Sequence, residues 1–592
     1  MNRLFFLITL LSLLVNCKSD KCNSTETFFD KIPLVTELVE CKKKNDLPLL
    51  AVIGAANSSR QTSTSSSTSS ACPVKGSLSN PSPLSGTTVT LSGATCTNTS
   101  LQTAVTSGGN ITLNCNSPIS ITSEITVPSN VSVFITGTNG SGMGGKVVLD
   151  GGGTSRIFFG NSSSTIIVKN LQFQNGKSKA TVGTGSTSPD KNAGGAMLNG
   201  YKGTMTVIDS IFLNNAGGTV GTTSEEGGGA IYSKSFGKLT IANSYFQGNT
   251  GGLGGAINNL LSKLTIIDST FKANSALVDT TTGSGYGGAI YTDGAGLGGD
   301  NGTNSRPDLN PPTGLGNMTI CRTYFLENTG KGQGGGAFLF IYSPDVLTLD
   351  NVIFERNSVI KNGVGDALGG GLRIGNGDAF ISNSYFADNV AKAQAGGLWK
   401  GEVGTTTISN TTFVNNFAVE NGGNTAVSLA GRTDSGGICG AVNGSDIKYT
   451  NVTMINNHAG FMSGALCGTG ATITKSIIAY NTAYNSGNSW KKGQNCAGTT
   501  QPTSGGSNFE FPNKNTSDTT SDNITCVNTT IVDPLYQSSS SFSYTNSVVT
   551  TIPIPNINTC STSIGYVDNS SFIKSIPLQT ASQATGSGAS CP

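Results

Sequence analysis

The residues best suited to chemistry are few in this 592-residue chain, which has 33 acidic and 35 basic side chains but a single histidine. The longest insertion, "GGDNGTNSRPDLNPP" from Gly298 to Pro312, carries Asp300, Arg306 and Asp308. Such oxygens can take a hard cation such as Ca²⁺ or contact a sugar, and long insertions are where functional loops concentrate. The blander reading of the same residues is a solvated loop. Glycoside hydrolysis needs two carboxylates flanking the scissile bond. Glu225-Glu226 is the other acidic pair considered, and it reads as solvated at a loop end. His458, in "NNHAG", has no second histidine with which to share a metal and reads as a corner or surface residue. Trp490, among polar residues in "GNSWKKG", is a candidate to stack on a ligand ring, whereas Trp399 in "GGLWKG" follows a glycine pair and reads as packing. Apart from Ca²⁺ in that insertion, no metal, cofactor or catalytic residue is assigned.

These residues have to be positioned by a repeated unit. Strand-like runs end in an aromatic or apolar residue and then Asn: "IIVKNLQFQN" to Asn175, "MTVIDSIFLNN" to Asn215, then runs to Asn249, Asn274, Asn328, Asn357, Asn389, Asn416, Asn457 and Asn481. Before nearly all of them stands a glycine pair, as in "GGAML", "GGAIY", "GGGLRI" and "GGLW". The equivalent positions are Phe173, Phe212, Phe246, Phe271, Phe325, Phe354, Phe386, Phe413, Met454 and Ile478. Their spacing is uneven, shortest between Met454 and Ile478 and longest between Phe271 and Phe325. A fixed minimum with variable excess means one structural rung plus loops of different length, the mark of a solenoid. Alternation such as Leu239 and Ile241, together with 80 glycines, excludes helical repeats. The expected fold is all-β, a single-stranded right-handed parallel β-helix with capping regions at both ends. Handedness follows from the crossover preference of parallel strands. The Asn at each corner is expected to tolerate a left-handed turn and to stack amide on amide.

The "GGAI" and "FxxN" pattern resembles the repeats of chlamydial polymorphic membrane proteins, which are autotransported adhesins. The resemblance covers 194–481 and implies a β-helix. The C-terminus departs from that family, with no alternating strands of a membrane barrel. The stretch from Val131 to Gly176 is similar to the opening coils of β-helix proteins that include polysaccharide lyases. The polygalacturonase motifs, a paired aspartate with "HG" and "RIK", are not present, and "LRI" at Leu372 to Ile374 is not followed by Lys. The region after the last rung is similar to that of bacterial β-helix proteins with a choice-of-anchor domain. Cys496, Ser504 to Asn508, Cys526 and Asp533-Pro534-Leu535 carry the likeness, and it implies a bridge between Cys496 and Cys526.

The N-terminus has Arg3 and an apolar run from Leu4 to Val15, too short to span a bilayer and suited to an export signal. "LLVNC" resembles a relaxed bacterial lipobox, which implies acylation of Cys17. The expected organisation is a signal peptide over 1–16, an anchor and short helical segment over 17–56, and a Ser/Thr-rich linker over 57–71. An N-terminal cap over 72–130, the β-helix over 131–495 and a C-terminal cap region over 496–592 follow. Twelve cysteines remain besides Cys17, an even number that suits disulfides in an exported chain. Cys439 and Cys467, about one rung apart and reading as matching places in adjacent coils, are one candidate pair. Cys560 with Cys591, and Cys22 with Cys41, are others. Net charge is +2 with no basic stripe, so nucleic acid is not an expected partner.

Two function classes fit this reading. One is an exported, lipid-anchored surface protein of the outer membrane or cell surface, adhesin-like or structural. It would touch the membrane through its lipid and bind a host or matrix protein or a polysaccharide. The other is a polysaccharide lyase or glycoside hydrolase on the same fold. A secreted eukaryotic chain, glycosylated at sequons such as Asn110, Asn161, Asn410 and Asn523, is the alternative on localisation.

Overall fold

The strands of this chain pair by returning, coil after coil, to the same four sheets. The computed structural model describes residues 72–86, 88–178, 193–218, 227–234, 236–276, 285–294, 317–343, 345–362, 365–401, 403–419, 438–483, 495–498, 500–514, 523–527, 530–531, 558–559 and 574–575. Sheet 1 has fourteen strands, mostly of four or five residues, such as Thr204–Ile208. Sheet 2 has fourteen, mostly of three, such as Ile211–Leu213. Sheet 3 has thirteen, such as Ile231–Ser233. Sheet 4, between sheets 2 and 3, has eight short strands such as Thr250–Gly251. All pairings in this stack are parallel except the last of sheet 3, where Cys496–Ala497 meets Asn523–Ile524 antiparallel. The protein is a parallel β-helix.

Alternation explains the interior. In sheet 1, Leu239 and Ile241 face Leu264 and Ile266 of the next coil, and all four are fully buried. In sheet 2, eight phenylalanines from Phe173 to Phe413 form one stack, with neighbouring rings 4.5–5.2 Å apart and within 12° of parallel. Met454 and Ile478 continue the column.

At the corner after sheet 2, ten asparagines join side chain to side chain, each Nδ2 donating to the next Oδ1 at 2.9–3.1 Å. They are Asn215, Asn249, Asn274, Asn328, Asn357, Asn389, Asn416, Asn457, Asn481 and Asn495. Asn175 is not among them. It lies one residue short of the column, where Gly176 donates its N–H to Asn215 Oδ1. The expected left-handed turn also falls elsewhere. The residue before each ladder Asn from Asn215 to Asn481 has positive φ, among them Asn214 (52°), Ala273 (51°), Glu327 (58°), Asp388 (54°) and Tyr480 (57°). The ladder asparagine must keep a strand-like backbone to offer its N–H to the next coil.

Both glycines of the pair are crowded, and the first is left-handed as well: a Cβ on Gly228 would lie 2.2 Å from Ile231 O of its own coil. The first position is left-handed: Gly228 has φ 67°, and Ala395, Cys439 and Ser463 occupy it in later coils at 56–60°. At the second, the backbones of adjacent coils approach each other. A Cβ on Gly288 would lie 1.9 Å from Gly335 O, and one on Gly335 2.1 Å from Gly370 O.

The coil stack runs beyond the expected 131–495. It begins at Thr88–Ser92, paired with Gly109–Asn114, and continues to Thr530–Ile531. The first coils lack the corner motif, so the repeat does not mark them in the sequence. The helix Asn98–Ser107 covers the first end, burying Leu101, Ala104 and Val105. At the other end Asn495 closes the ladder by donating Nδ2 to Phe511 O and Pro512 O.

Four bridges join Cys72 to Cys321, Cys96 to Cys115, Cys439 to Cys467 and Cys496 to Cys526. Cys439 and Cys467 are not at matching places. Ile438 pairs with Met462 and Val442 with Leu466, so Cys439 aligns with Ser463 and Cys467 with Asn443. The bridge runs obliquely from a corner to the end of the next coil's strand. Cys17, Cys22, Cys41, Cys560 and Cys591 lie outside the described residues. No described helix is long and apolar enough to cross a membrane.

Candidate functional site

The outer face of sheet 3 brings together aromatic, charged and amide side chains from successive coils. Alternation sends Leu372 and Ile374 inward and Arg373 outward. In register with Arg373 stand Tyr291 and Phe338 on the preceding coils, and Trp399 and Asn443 on those that follow. Phe340 lies two residues after Phe338, beside Asp293 and Gly375 of its neighbours.

The Arg373 guanidinium lies 4.8 Å from the ring centres of Phe338 and Phe340 and 4.9 Å from that of Trp399, so aromatic rings of the two flanking coils enclose it. A planar cation stacks in this way at low cost in hydration. Its Nε donates to Gln333 Oε1 at 2.9 Å, and Gln333 Nε2 donates to Asp366 Oδ2 at 2.9 Å. Trp399 Nε1 and Asn443 Nδ2 both donate to Gln394 Oε1, at 3.1 and 2.8 Å. Asp293 accepts from the hydroxyls of Tyr342 and Tyr291 at 3.2 and 3.4 Å. Tyr286 stacks on Phe338 at 5.2 Å. Burial, then the Asp366 carboxylate, push its hydroxyl up to about 12, against the pull of Arg373 and a Gln333 hydrogen bond. The indole of Trp399 folds across Gly401, where a Cβ would lie 2.3 Å from Cζ3.

Arg373 is 4% exposed, while Trp399, Phe340, Tyr286 and Asp293 are half-buried. The half-buried rings offer flat apolar faces, and hydrogen-bonding groups border them. That combination fits the pattern of sites that hold a ligand by stacking and orient it by a few polar contacts. Among the described residues no group of three or more His, Cys, Asp or Glu side chains could hold a metal ion.

The sequence-derived candidates are distributed differently. Trp490, Asp300, Arg306, Asp308, Glu225 and Glu226 lie outside the described residues. Trp399 is not in the inward slot after the glycine pair. Leu398 fills that slot, fully buried, and Trp399 faces out. His458, which follows the corner residue Asn457, is not a surface residue. It begins the sheet 4 strand His458–Ala459, 3% exposed, with Nδ1 2.7 Å from Thr482 Oγ1. Burial holds its pKa down at about 4, so the ring is neutral and enclosed at neutral pH. The sequon residue Asn110 is buried, with its amide donating to Leu84 O at 2.8 Å. Asn161 and Asn410 likewise donate theirs to Val127 O and Asn383 Oδ1.

As a motif, "LRI" does not mark Arg373 as a binding residue. The signal that finds it is the period-two alternation of "GGGLRIG", which aims a charged side chain out of a sheet face carrying aromatics on adjacent coils. The fold is that of the β-solenoids as a class. Comparison of the chain with protein-family models, curated proteins and solved structures finds no match to any of them.

Proposed function

We propose that this chain is an exported binding protein displayed at a cell surface, adhesin-like in role, with the outer face of sheet 3 as its ligand face. The observation that carries the reading is the band formed by Tyr291, Phe338, Phe340, Arg373 and Trp399, five side chains from four coils aligned on one flank. A repeated strand face suits an extended ligand, because successive coils offer equivalent contacts about 4.8 Å apart. The ligand classes it fits are a polysaccharide and a matrix or host protein. Acylation at Cys17 and attachment at the outer membrane belong to the same reading. Their support is the "LLVNC" sequence and the four bridges, which suit an oxidising compartment. The likeness to polymorphic membrane protein repeats and to choice-of-anchor regions stands with it.

The second reading is a lyase or hydrolase on the same face. Asp293 and Asp366, which flank the arginine network, favour it. One experiment separates the two. The purified chain is titrated against immobilised uronate and neutral polysaccharides and matrix proteins, while the supernatant is assayed for reducing ends and unsaturated products. The binding reading expects saturable retention without turnover, weakened at least tenfold by Arg373→Ala and by Trp399→Ala with unchanged circular dichroism. Turnover lost on Asp293→Asn or Asp366→Asn would replace it with the enzymatic one, and retention that neither variant changes would remove sheet 3 as the ligand face.

A further inference from the structure

Residues 72–86 run along the outside of sheet 1, from the middle of the solenoid back to its first coil. Cys72 is bridged to Cys321, in the eighth of the fourteen strands of sheet 1. Arg322, the next residue, donates Nη2 to Pro73 O at 2.8 Å and pairs with Asp268 on the coil before. Cys72 and Leu78 lie against Ile208, Ala242, Ile267 and Cys321, the outward column at the ends of strands five to eight. Lys169, ending the fourth strand, donates Nζ to Ser79 O at 2.7 Å and to Asn80 Oδ1 at 2.8 Å. Asn110, in the second strand, exchanges two hydrogen bonds with the backbone of Leu84 at 2.8 and 2.9 Å. The strap therefore crosses seven rungs, while most of its residues stay exposed, Val74 at 76%.

We infer that the strap is a latch that moves the root of the N-terminal segment from the end of the solenoid to its flank, with the Cys72–Cys321 bridge as the element that keeps it there. A chain that entered sheet 1 directly would leave the rod at Thr88, at its tip. With the strap docked, everything before Cys72 leaves from the eighth rung instead. Besides the bridge, this end is held through Arg322, which bonds Pro73 O, and through Leu78. Leu78 buries only part of one side chain, and the hydrogen bonds from Arg322 and Lys169 reach a largely exposed segment. Such bonds are weak where water competes for the same groups. On the surface-display reading, on which this consequence alone rests, a rod held at mid-length lies along the surface it is tethered to. Sheet 1 then faces that surface, and the Arg373 band of sheet 3 belongs to a different flank.

The test is a distance measured in the full chain. Noncanonical ketone residues replace Val74 and Lys448, and each carries a spin label, which adds no thiol. Lys448 is exposed in the twelfth strand of sheet 1. Four rungs separate it from the latch, about 20 Å at ~4.8 Å per rung. Eleven rungs, about 50 Å, separate it from the first strand. The oxidised protein should give a narrow distribution at about 20 Å, the four-rung distance. The Cys72→Ser/Cys321→Ser double variant should give a broad one centred at about 50 Å, because the freed segment between Val74 and Thr88 would spread over roughly 20 Å around the first rung. The longer distance in the oxidised protein overturns the docked strap, and this holds even if the double variant does not fold. A double variant that keeps the shorter distance overturns the bridge as the latch. The surface-display reading can fail, for want of a lipid at Cys17, with both distances as expected.

Discussion

The asparagine ladder gives the sharpest quantitative expectation. Asn328 sits mid-stack, fully buried, and its carboxamide makes four hydrogen bonds. Oδ1 accepts from Asn274 N and Asn274 Nδ2 at 2.9 and 3.0 Å, and Nδ2 donates to Asn357 Oδ1 and Phe271 O, both at 2.9 Å. Asn328→Ala removes all four. Asn357 Oδ1 keeps the Asn328 backbone N–H as a donor, so its loss is partial. Two donors on Asn274 are stranded out of reach of water. At about 1–3 kcal/mol for each unsatisfied buried group, the cost is about 4 kcal/mol. The adjacent Glu327 is the control. It has φ 58°, and its side chain is 44% exposed in a pair with Arg356. Glu327→Gly loses an exposed ion pair but relieves a left-handed non-glycine residue, so the net change should stay within about 1 kcal/mol. Urea unfolding followed by circular dichroism gives the total. Hydrogen exchange locates it, because each coil is held mainly by its neighbours. Amide protection around 270–276, 324–331 and 353–360 should fall by about a thousandfold in Asn328→Ala, since each 1.4 kcal/mol is a factor of ten. An Asn328→Ala protein within about 1 kcal/mol of wild type, or a Glu327→Gly protein equally damaged, would refute the assignment of the corner's stability to the amide ladder.

Three other outcomes are expected. Phe271, stacked between Phe246 at 4.7 Å and Phe325 at 5.2 Å and fully buried, should cost ~3–5 kcal/mol as Phe271→Ala, read from the urea midpoint. Gly334→Ala should cost at least about 1–2 kcal/mol for its left-handed backbone, and its Cβ would meet Ala337 O of its own coil at 2.3 Å; Ala395 shows that one coil can relax to take a Cβ in that place. Gly335→Ala should cost more, because its Cβ would lie 2.1 Å from Gly370 O and relief there needs two coils to move apart rather than one to adjust; equal thermal shifts would contradict this. Glu510 is buried at the C-terminal end, with its carboxyl pushed up to about 7 by desolvation, against hydrogen bonds from Val527, Cys526 and Asn495. Its folded pKa is above the unfolded value of 4.5, so the native state holds the proton longer. Stability should therefore be highest below pH 4.5 and fall by about 3 kcal/mol as pH rises through 7. The difference between wild type and Glu510→Gln across that window isolates this group from His458, whose lowered pKa gives the opposite slope between pH 4 and 6.5; parallel curves would contradict it.

The sequence by itself determined the architecture and much of the interior. Strand alternation, the phenylalanine slot and the glycine pair are written in short-range sterics and in a period of two, and they recur often enough to be read without a partner in view. The one-rung spacing of Cys439 and Cys467 was legible too, although not its oblique geometry, because their separation exceeds the coil that sets Val442 against Leu466. The tertiary structure alone decided what lies beside what across coils. Insertions stretch the repeat unequally, most of all between Phe271 and Phe325, so the number of residues between two positions does not give their register. Arg373 between Phe338 and Trp399 is therefore invisible until the coils are stacked. The same holds for Asn175, which matches the motif by eye yet falls one residue short of the ladder. It holds most strongly for Cys72 and Cys321, 249 residues apart, which meet because a strap with no repeat of its own folds back along a sheet that the repeats built.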